Sequence, residues 1–454
     1  MLTLNATGRA QTTQRQHVLG RLVYSQSQSA RLLRYGLAIL VVVLALVRLT
    51  ATVRSLVPPL VYRKDFLQEY TLARAIADGS DPYVPTEVLV ARYVGTIPNP
   101  TFAHPTPHPP TLGILLLPLS LFDYSTAAIL WFGLETVCLV ASAYLLGRTA
   151  GARPSIGATL GIAMALLIWY PFSIEMKVAQ LQVPVLALLA GAWVALRSGR
   201  SLLGGALVGL AILLKPVPWP VLLWFVLRKD WRALVAALSV ISGGYLVAGC
   251  VVGLGTLDTY FTTVLPLVAS TYRSSWGNYS IPSLAWRVFH GIEEEGIVFV
   301  PPLIKSTLAA QVASVGLPVL LLLAAYLASR KQHDLDVSFA LVVIVSILIS
   351  PIAWTSYLVL AAIPAAHVIH WLLRHRLPSK ETNKALVVAI LLSVHWIELA
   401  TFLALRLVAA RLTMTLPFAL AQLPLMTAVA VGALAWLVAS LGPAESSTPL
   451  TVEN

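Results

Sequence analysis

The sequence predicts an all-α protein that crosses a membrane many times, and two observations carry this prediction. Of the 454 residues, 58% are apolar and 11% are charged, whereas soluble domains hold about 45–50% apolar and about 25% charged residues. The apolar residues fall in repeated runs, many of which approach the roughly 20 residues that a helix needs to cross the hydrocarbon core. Two cysteines far apart in sequence exclude a disulfide scaffold, and the low charge excludes a disordered chain.

Apolar runs along the chain predict about 11–13 membrane-spanning helices. The run at 109–122 is short and contains Pro118. The run at 201–227 is long and is broken at Lys215-Pro216, so we expect two short helices with Lys215 near the bend, because proline removes a backbone donor and clashes with the preceding turn. In chain order the runs are 35–53, 109–122, 125–147, 155–172, 180–196, 201–227, 233–254, 303–329, 337–350, 354–373, 385–405 and 413–441.

The basic residues predict the orientation of these spans. The formal net charge is +12, and Lys and Arg cluster at the ends of apolar runs, as they do at the cytoplasmic ends of spans. A nucleic-acid-binding protein would instead collect them on one polar face, so we expect no nucleic-acid partner. The long polar segments 54–108 and 255–302 are then external loops.

This orientation predicts three parts and leaves one question open. The parts are a cytoplasmic tail at 1–30, a transmembrane domain at 31–441 and a second tail at 442–454. For Arg148 and Arg153 to be cytoplasmic, the short run at 109–122 must be re-entrant. Otherwise 201–227 crosses the membrane once and those arginines face outward.

The first external loop is predicted to carry a short amphipathic helix at the membrane surface, with Asp65 at its start. Apolar residues recur at helical spacing at Phe66, Tyr70, Ala73 and Ala77. One interpretation makes Asp65 an N-cap for this helix. The other makes it a general base at the membrane interface, kept ionised because the neighbouring cations Arg63 and Lys64 lower its pKa.

Lys215 is the best candidate for binding a phosphate. A lysine inside an apolar segment costs roughly 2.5–3.5 kcal/mol on insertion, so it should face a cavity or an anionic partner, although it could also extend from a helix end to the interface. His104 and His108 lie on a proline-rich loop without a fixed carboxylate nearby, a poor set of metal ligands. We therefore predict no metal, and no cofactor because no nucleotide-binding glycine motif occurs.

Several short motifs together resemble glycosyltransferase family 87. The first loop reads Asp65-Phe66-x-x-x-Tyr70-x-x-Ala73-Arg74-Ala75 and then Gly79-x-Asp81-Pro82-Tyr83, which is similar to that family's first-loop signature. Further pieces follow in the family's order over about residues 35–375. They are His108-Pro109-Pro110, Gln180-Leu181-Gln182, Leu213-Leu214-Lys215-Pro216, Gly277-Asn278-Tyr279-Ser280 and Ser350-Pro351-Ile352-Ala353-Trp354.

The resemblance implies a GT-C-like bundle in the plasma membrane that moves a sugar, most simply a hexose such as mannose, from a polyprenyl phosphate. The acceptor would be a glycolipid or a lipid-linked glycan on the outer face. Asp65 would be the base of a single inverting displacement, and Lys215 and Arg63 would bind the donor phosphate. The residues implied in substrate binding are Tyr70, His108, Gln180, Gln182, Asn278 and Trp354, although the two glutamines could equally bridge helices.

Two other hypotheses stay open. The chain could be a transporter or flippase of a lipid-linked solute, which would require polar groups through the bundle to the inner face. It could also be a family member that binds the lipid carrier without catalysis. The second hypothesis arises because the family continues its Ser-Pro motif with an acidic residue and histidines, whereas this chain has Thr355-Ser356-Tyr357.

Overall fold

A computed structural model describes residues 28, 31–33, 35–95, 103–150, 153–294, 298–332, 334–396, 399, 403 and 425–441. Nearly all of the predicted tail at 1–30, the whole tail at 442–454 and parts of the predicted runs at 385–405 and 413–441 lie outside these residues. The division into tails and a transmembrane domain therefore stays a prediction.

The described chain is an all-α bundle of apolar helices, which confirms the predicted fold class. By length and composition, five helices could cross a membrane. They are α1 (Arg31–Arg54), α5 (Tyr124–Arg148), α11 (Trp231–Val252), Thr307–Ala328 within α15 (Thr307–Gln332), and Thr355–Arg374, a 3-10 turn (Thr355–Ala361) that continues into α17 (Ala362–Arg374).

Shorter apolar helices complete the bundle. The pair α6 (Ile156–Ile168) and α7 (Tyr170–Val178) would make a sixth span if it is one broken helix, since the two meet at a bend of 81°. Four further helices of 10–17 residues are apolar, and α18 (Ser379–Ser393) lies beside the last of them. The four are α8 (Gln182–Arg197), α9 (Ser201–Leu214), α16 (Leu335–Leu348) and α19 (Met426–Leu441). The total of 11–13 spans stays a prediction.

The two irregular runs behave differently from the regular ones. The run at 109–122 forms α4 (Pro110–Leu115) and a 3-10 helix (Leu117–Leu121). At about 1.5–2 Å per residue, neither is long enough to cross a bilayer, which favours the re-entrant alternative. The run at 201–227 is interrupted after α9 and resumes as α10 (Pro220–Leu227), so the break falls at Lys215 as expected.

Small residues let α9 and α11 approach closely. A Cβ atom added at Gly205 would lie 2.0 Å from the carbonyl oxygen of Ala233, and one added at Gly209 would lie 2.7 Å from that of Ala237. Gly and Ala four residues apart are the usual means by which membrane helices bring their backbones together. This contact sets α9, and hence the break at Lys215, against the rest of the bundle.

The first external loop folds into a compact layer. The predicted helix is present as α2 (Phe66–Ala77), but ten of its twelve residues are buried. It is covered on more sides than a helix lying on a membrane surface would be, because α3 (Thr86–Tyr93), α4 and the 3-10 helix of the same loop pack over it.

The second external segment adds a roof to this layer. It contains α12 (Leu254–Thr259), a π-helical turn (Tyr260–Val264), α13 (Leu265–Thr271), α14 (Ile281–His290) and a hairpin of β1 (Ile292–Glu294) and β2 (Val298–Val300). The stripe Tyr260, Val264 and Val268 packs with Leu72 and Tyr83 of the first loop. The two external segments therefore form one body at one end of the bundle.

A buried charged group ties the other end of the bundle together. The carboxylate of Asp336 on α16 accepts a hydrogen bond from the indole of Trp193 on α8 at 2.8 Å, and the guanidinium of Arg197 lies 3.4 Å from its second oxygen. Arg197 also donates to the carbonyl oxygen of Thr149 at the end of α5 at 2.5 Å. Helices α5, α8 and α16 therefore share one polar contact inside apolar surroundings.

We expect Asp336→Ala to lower the free energy of unfolding by about 3 kcal/mol, because the substitution leaves the buried cation Arg197 without its partner. The matched control is Asp334→Ala, which removes the N-cap of the same helix and should cost about 1 kcal/mol. Thermal unfolding of both variants in the same detergent tests this order. A melting temperature of Asp336→Ala equal to or above that of the control would contradict the assignment.

Candidate active site

One cavity of about 850 Å³ lies where the two external segments meet the ends of the helices. Breaks in the helices supply its polar floor: the start of α2, the turn between α7 and α8, and the break after α9. The floor and the near walls carry the side chains of Asp65, Gln68, His104, His108, Gln180, Lys215 and Ser356. Apolar and aromatic residues from α7, α13 and the segment 350–357 make most of the remaining wall.

Asp65 is held at the floor of the cavity by its neighbours in space. Its backbone N–H donates to the carbonyl oxygen of Val178 at 2.8 Å, and its Oδ2 accepts a short hydrogen bond from the side-chain amide of Gln180. Its side chain makes no capping hydrogen bond to α2. The N-cap interpretation is therefore wrong, and the half-buried carboxylate faces the cavity.

Gln180 connects Asp65 to two further groups. The Oε1 atom of its amide accepts from the Ser356 hydroxyl at 3.0 Å and from the Lys215 ammonium at 3.5 Å. The preceding residue, Ala179, has left-handed backbone angles (φ 59°, ψ 56°) and ends α7. This reversal of the chain directs Gln180 toward the start of α2, which lies 115 residues away in sequence.

Lys215 lies where its sequence context requires. Because proline follows, its backbone is extended (φ −153°, ψ 121°) and α9 ends there. Its side chain is buried, and the ammonium lies 4.4 Å from the centroid of the Tyr357 ring. A buried cation beside an aromatic face and an amide oxygen has no carboxylate in contact among the described residues, so it is available to an anionic ligand in the cavity.

The electrostatics of Asp65 differ from the expectation. Burial raises the pKa of the Asp65 carboxyl to about 6, the Gln180 hydrogen bond is the largest influence that lowers it, and Glu69 raises it further. Lys215 and Lys64 lower this pKa by less than burial raises it. The expectation of a depressed pKa is thus wrong: loss of hydration outweighs the nearby cations.

Lys64 faces away from the cavity. Its ammonium donates to the Ser55 hydroxyl at 2.8 Å and to the carbonyl oxygen of Lys177 at 2.7 Å, and the side chain is buried. Burial lowers the pKa of Lys64 to about 8. Its contacts join the end of α1 to the end of α7, and it therefore supports the cavity floor from behind.

A second carboxylate lies one helical turn beyond Asp65. Glu69 is buried on α2, and its Oε1 lies 2.8 Å from Nε2 of His108. His104 on the same loop contacts the hydroxyl of Tyr272 through Nε2 at 2.7 Å. The proline-rich loop thus delivers two histidines to the cavity wall, each joined to a different external segment.

Aromatic rings form the part of the wall above the polar floor. Tyr272 meets Trp354 edge to face, with 5.4 Å between ring centroids. Trp219 and Leu265 line the cavity and are also exposed at the protein surface (42% and 40%). The cavity therefore reaches the surface between the start of α10 and α13, along an apolar edge.

Three residues that the sequence predicts for binding lie elsewhere. Arg63 is exposed and outside the cavity lining. Tyr70 is buried and its hydroxyl donates to the carbonyl oxygen of Phe122 at 2.8 Å, which fastens α2 to the re-entrant segment. Gln182 is buried at the start of α8, where its backbone N–H donates to the carboxylate of Glu175.

Asn278 is a correction of a different kind. Its amide donates to the carbonyl oxygens of Tyr272 and Pro351, both at 3.0 Å, and its Oδ1 accepts from the backbone N–H groups of Ser280 and Ala353. The buried side chain has no capacity left for a substrate. It joins the second external segment to the 351–353 loop and so shapes the cavity without lining it.

Sequence reasoning missed Ser356 as a site residue. It noted Thr355-Ser356-Tyr357 only as a difference from a family motif, yet Ser356 contacts Gln180 and Tyr357 lies under Lys215. The available signal was the position of these residues directly after Trp354. Across the described residues, no three His, Cys, Asp or Glu side chains come close enough together to hold a metal ion.

Comparisons with known proteins agree with this architecture. The chain is 28% identical over 200 residues to the Alpha-(1->3)-arabinofuranosyltransferase of Mycobacterium tuberculosis, which covers 40% of this chain and 43% of that protein. It thus spans less than half of that relative. It is 27% identical over 303 residues to the Polyprenol-phosphate-mannose-dependent alpha-(1-2)-phosphatidylinositol pentamannoside mannosyltransferase of Mycolicibacterium smegmatis, over 62% of this chain and 68% of that one. No solved structure matches.

A family model gives the assignment. It matches residues 107–351, a little over half of the chain, and this range includes Gln180 and Lys215 and begins after Asp65. The arrangement of the first-loop carboxylate therefore rests on the contacts described above. The multi-pass bundle, the cavity at its external-segment end and this match agree: the chain belongs to glycosyltransferase family 87.

Proposed function

We propose that this membrane glycosyltransferase takes its sugar from a polyprenyl phosphate, and that Asp65 is the general base. The observation that carries the proposal is the joining of Asp65 to Lys215 through one amide, at the floor of a cavity with apolar walls. A carboxylate and a buried cation in one cavity supply the two groups that such a transfer needs. One accepts the proton of the acceptor, and the other stabilises the leaving phosphate.

The proposed step is a single displacement at the anomeric carbon. Asp65 takes the proton of an acceptor hydroxyl while that oxygen forms a bond to the anomeric carbon. The bond from this carbon to the phosphate oxygen breaks, the phosphate leaves with the electron pair, and the configuration inverts. With a pKa of about 6, Asp65 is mostly ionised at pH 7 and more basic than an ordinary aspartate, which suits a general base.

Lys215 is the proposed partner of the phosphate. Its ammonium is a point charge on a flexible stem, and it has only a long contact of 3.5 Å with Gln180 and the Tyr357 ring to give up. In a site with little water, a cation aimed at developing negative charge stabilises the transition state strongly. His108 and Trp354 line the same cavity and are proposed to contact the sugar.

The apolar edge of the cavity supports a lipid-linked donor. Trp219 and Leu265 lie both in the lining and at the protein surface, so an isoprenoid chain could extend along them into the bilayer while its phosphate reaches Lys215. Water-soluble nucleotide sugars would gain nothing from such an edge. The acceptor in this proposal is a glycolipid or a lipid-linked glycan.

The basic residues support an active site on the outer side. Arg197 donates to the carbonyl oxygen of Thr149 and Arg374 to that of Ala150, so the basic ends of α5, α8 and α17 lie together. The positive-inside rule assigns this end to the cytoplasm. The cavity is built from the opposite ends of the helices, at the start of α8 and the end of α9.

The relatives suggest which sugars to test first. Mannose is the proposed sugar, because the relative that covers more of this chain is named a polyprenol-phosphate-mannose-dependent mannosyltransferase. The other relative is named an arabinofuranosyltransferase, so assays should include a polyprenyl-phosphate arabinofuranose donor beside the mannose donor.

We expect Asp65→Asn to reduce sugar transfer at pH 7.5 by roughly 10²–10⁴-fold, because an amide cannot accept the proton of the acceptor. The measurement is transfer of radiolabel from polyprenyl-phosphate mannose to a lipid extract that contains phosphatidylinositol mannosides. The matched control is Asp123→Asn, since Asp123 is an exposed N-cap of α5 and Asn caps equally well. Equal transfer by Asp65→Asn and the control would contradict the role of Asp65.

The pH dependence should report the same carboxyl. Asp65 is active when deprotonated, and its pKa is raised to about 6, so kcat/KM should be flat above pH 7 and fall tenfold per pH unit well below pH 6. An aspartate with its usual pKa would lose activity only near pH 4. Initial rates between pH 4.5 and pH 8.5, with wild type kept folded throughout, distinguish the two, and an acid limb near pH 4 would contradict the raised pKa.

We expect Lys215→Met to weaken binding of the free carrier, polyprenyl phosphate, at least tenfold, because the substitution keeps the apolar stem and removes the charge. The measurement is competition of polyprenyl phosphate with the labelled donor. The control is Lys229→Met, which changes a lysine in the basic turn after α10, at the opposite end of that helix from the cavity. Unchanged competition in Lys215→Met would show that the phosphate binds elsewhere.

A further inference from the structure

We propose that Gln180 is a positioning residue for Asp65 and does not bind the sugar: its amide, held by Ser356 and Lys215, leaves a single oxygen of Asp65 to receive the proton. This inference rests on the proposed function, since it requires Asp65 to act as the base. It assigns a role to Ser356, which the sequence did not suggest, and it gives Lys215 a second role beside phosphate binding.

The orientation of the amide follows from its partners. Lys215 carries only donors, so the Gln180 atom that faces it must be the oxygen. The Ser356 hydroxyl approaches the same oxygen at 3.0 Å. Rotating the amide by half a turn would set its NH₂ group against an ammonium and its oxygen against a carboxylate. Two contacts on one side therefore force the donor side toward Asp65.

The consequence for Asp65 is a difference between its two oxygens. Oδ2 accepts the Gln180 N–H, and an oxygen that accepts a hydrogen bond is the poorer site for an incoming proton. Oδ1 is the oxygen left to take the acceptor's proton. Because the Asp65 backbone is fixed to Val178, both its main chain and its side chain are tied to the 178–180 turn.

The same hydrogen bond affects the basicity of Asp65. Burial raises the pKa of Asp65, and the Gln180 contact is the largest influence in the opposite direction. Loss of the amide should therefore raise this pKa above about 6. The titratable or charged groups that act on Asp65, or on which it acts, come from the loop before α2, from α2, α5, α7 and the end of α9: Lys64, Glu69, Tyr124, Glu175 and Lys215. His108 contacts Glu69.

The test compares three substitutions in the full-length protein. In Gln180→Ala, the acid limb of kcat/KM should move above pH 6, and transfer at pH 6.5 should fall at least tenfold. Ser356→Ala should move the limb in the same direction by less, because Lys215 still holds the amide, and Ser356→Thr should restore the wild-type profile. The matched control is Gln182→Ala, a buried glutamine outside the cavity lining, whose acid limb should stay where it is in wild type.

A sugar-binding role for Gln180 predicts a different result. In that case Gln180→Ala would raise KM for the mannose donor or the lipid acceptor and leave the acid limb in place. That outcome, or a Ser356→Ala limb identical to wild type together with an unmoved Gln180→Ala limb, would overturn the proposal.

A readout that needs no turnover separates this inference from the proposed function. Infrared difference spectra of ¹³C-aspartate-labelled protein, with Asp65→Asn as the subtraction, report the protonation of the Asp65 carboxyl directly. The titration should lie higher in Gln180→Ala than in wild type, whether or not the protein transfers mannose. A shifted titration in a wild type that transfers no sugar would keep the positioning role and reject the proposed function. An unshifted titration would reject the positioning role.

Discussion

The Gln180 amide is the contact on which the rest of the site depends. It joins the first external loop, the turn after α7, the break after α9 and the start of the 355–374 segment. Without it, a carboxylate and a buried ammonium would lie in one cavity with no fixed relation, and each would bear the cost of lost hydration alone. With it, their charges share one polar intermediary while both stay accessible to a ligand.

The bundle gathers its irregular backbone at the end where this network lies. The bend at Trp169, the left-handed Ala179, the proline break at Lys215 and the 350–354 loop all border the cavity. Interrupted helices leave backbone groups without partners, which lipid cannot satisfy, so such breaks occur where they line a cavity or pack inside protein. The opposite end, by contrast, is closed by Asp336 and its partners. This asymmetry agrees better with a site reached from one side than with a pathway through the bundle.

Much of this could be predicted from local pattern. Apolar runs gave the fold class, proline placed the break at Lys215, and a carboxylate ahead of a helix drew attention to Asp65. The rest depended on long-range contacts. Nothing local distinguishes Gln180, which meets Asp65, from Gln182, which is buried under α8, because a left-handed residue at 179 decides which one faces the cavity. Asn278 has the residue type of a sugar ligand, yet backbone groups from its own loop and from the 351–353 loop occupy it. The charge pattern around Asp65 predicted a lowered pKa, because a sequence shows neighbouring cations but not the loss of water.

The central claim is that the phosphate of a lipid-linked sugar lies at Lys215 with its anomeric carbon turned toward Asp65. A cryo-EM structure of the wild-type protein with a non-cleavable phosphonate analogue of polyprenyl-phosphate mannose tests it most directly. The account predicts a phosphonate oxygen within hydrogen-bond distance of the Lys215 ammonium, the anomeric carbon facing Oδ1 of Asp65, and the lipid chain leaving past Trp219 and Leu265. A phosphonate bound away from Lys215, or a sugar on the far side of the cavity from Asp65, would contradict it.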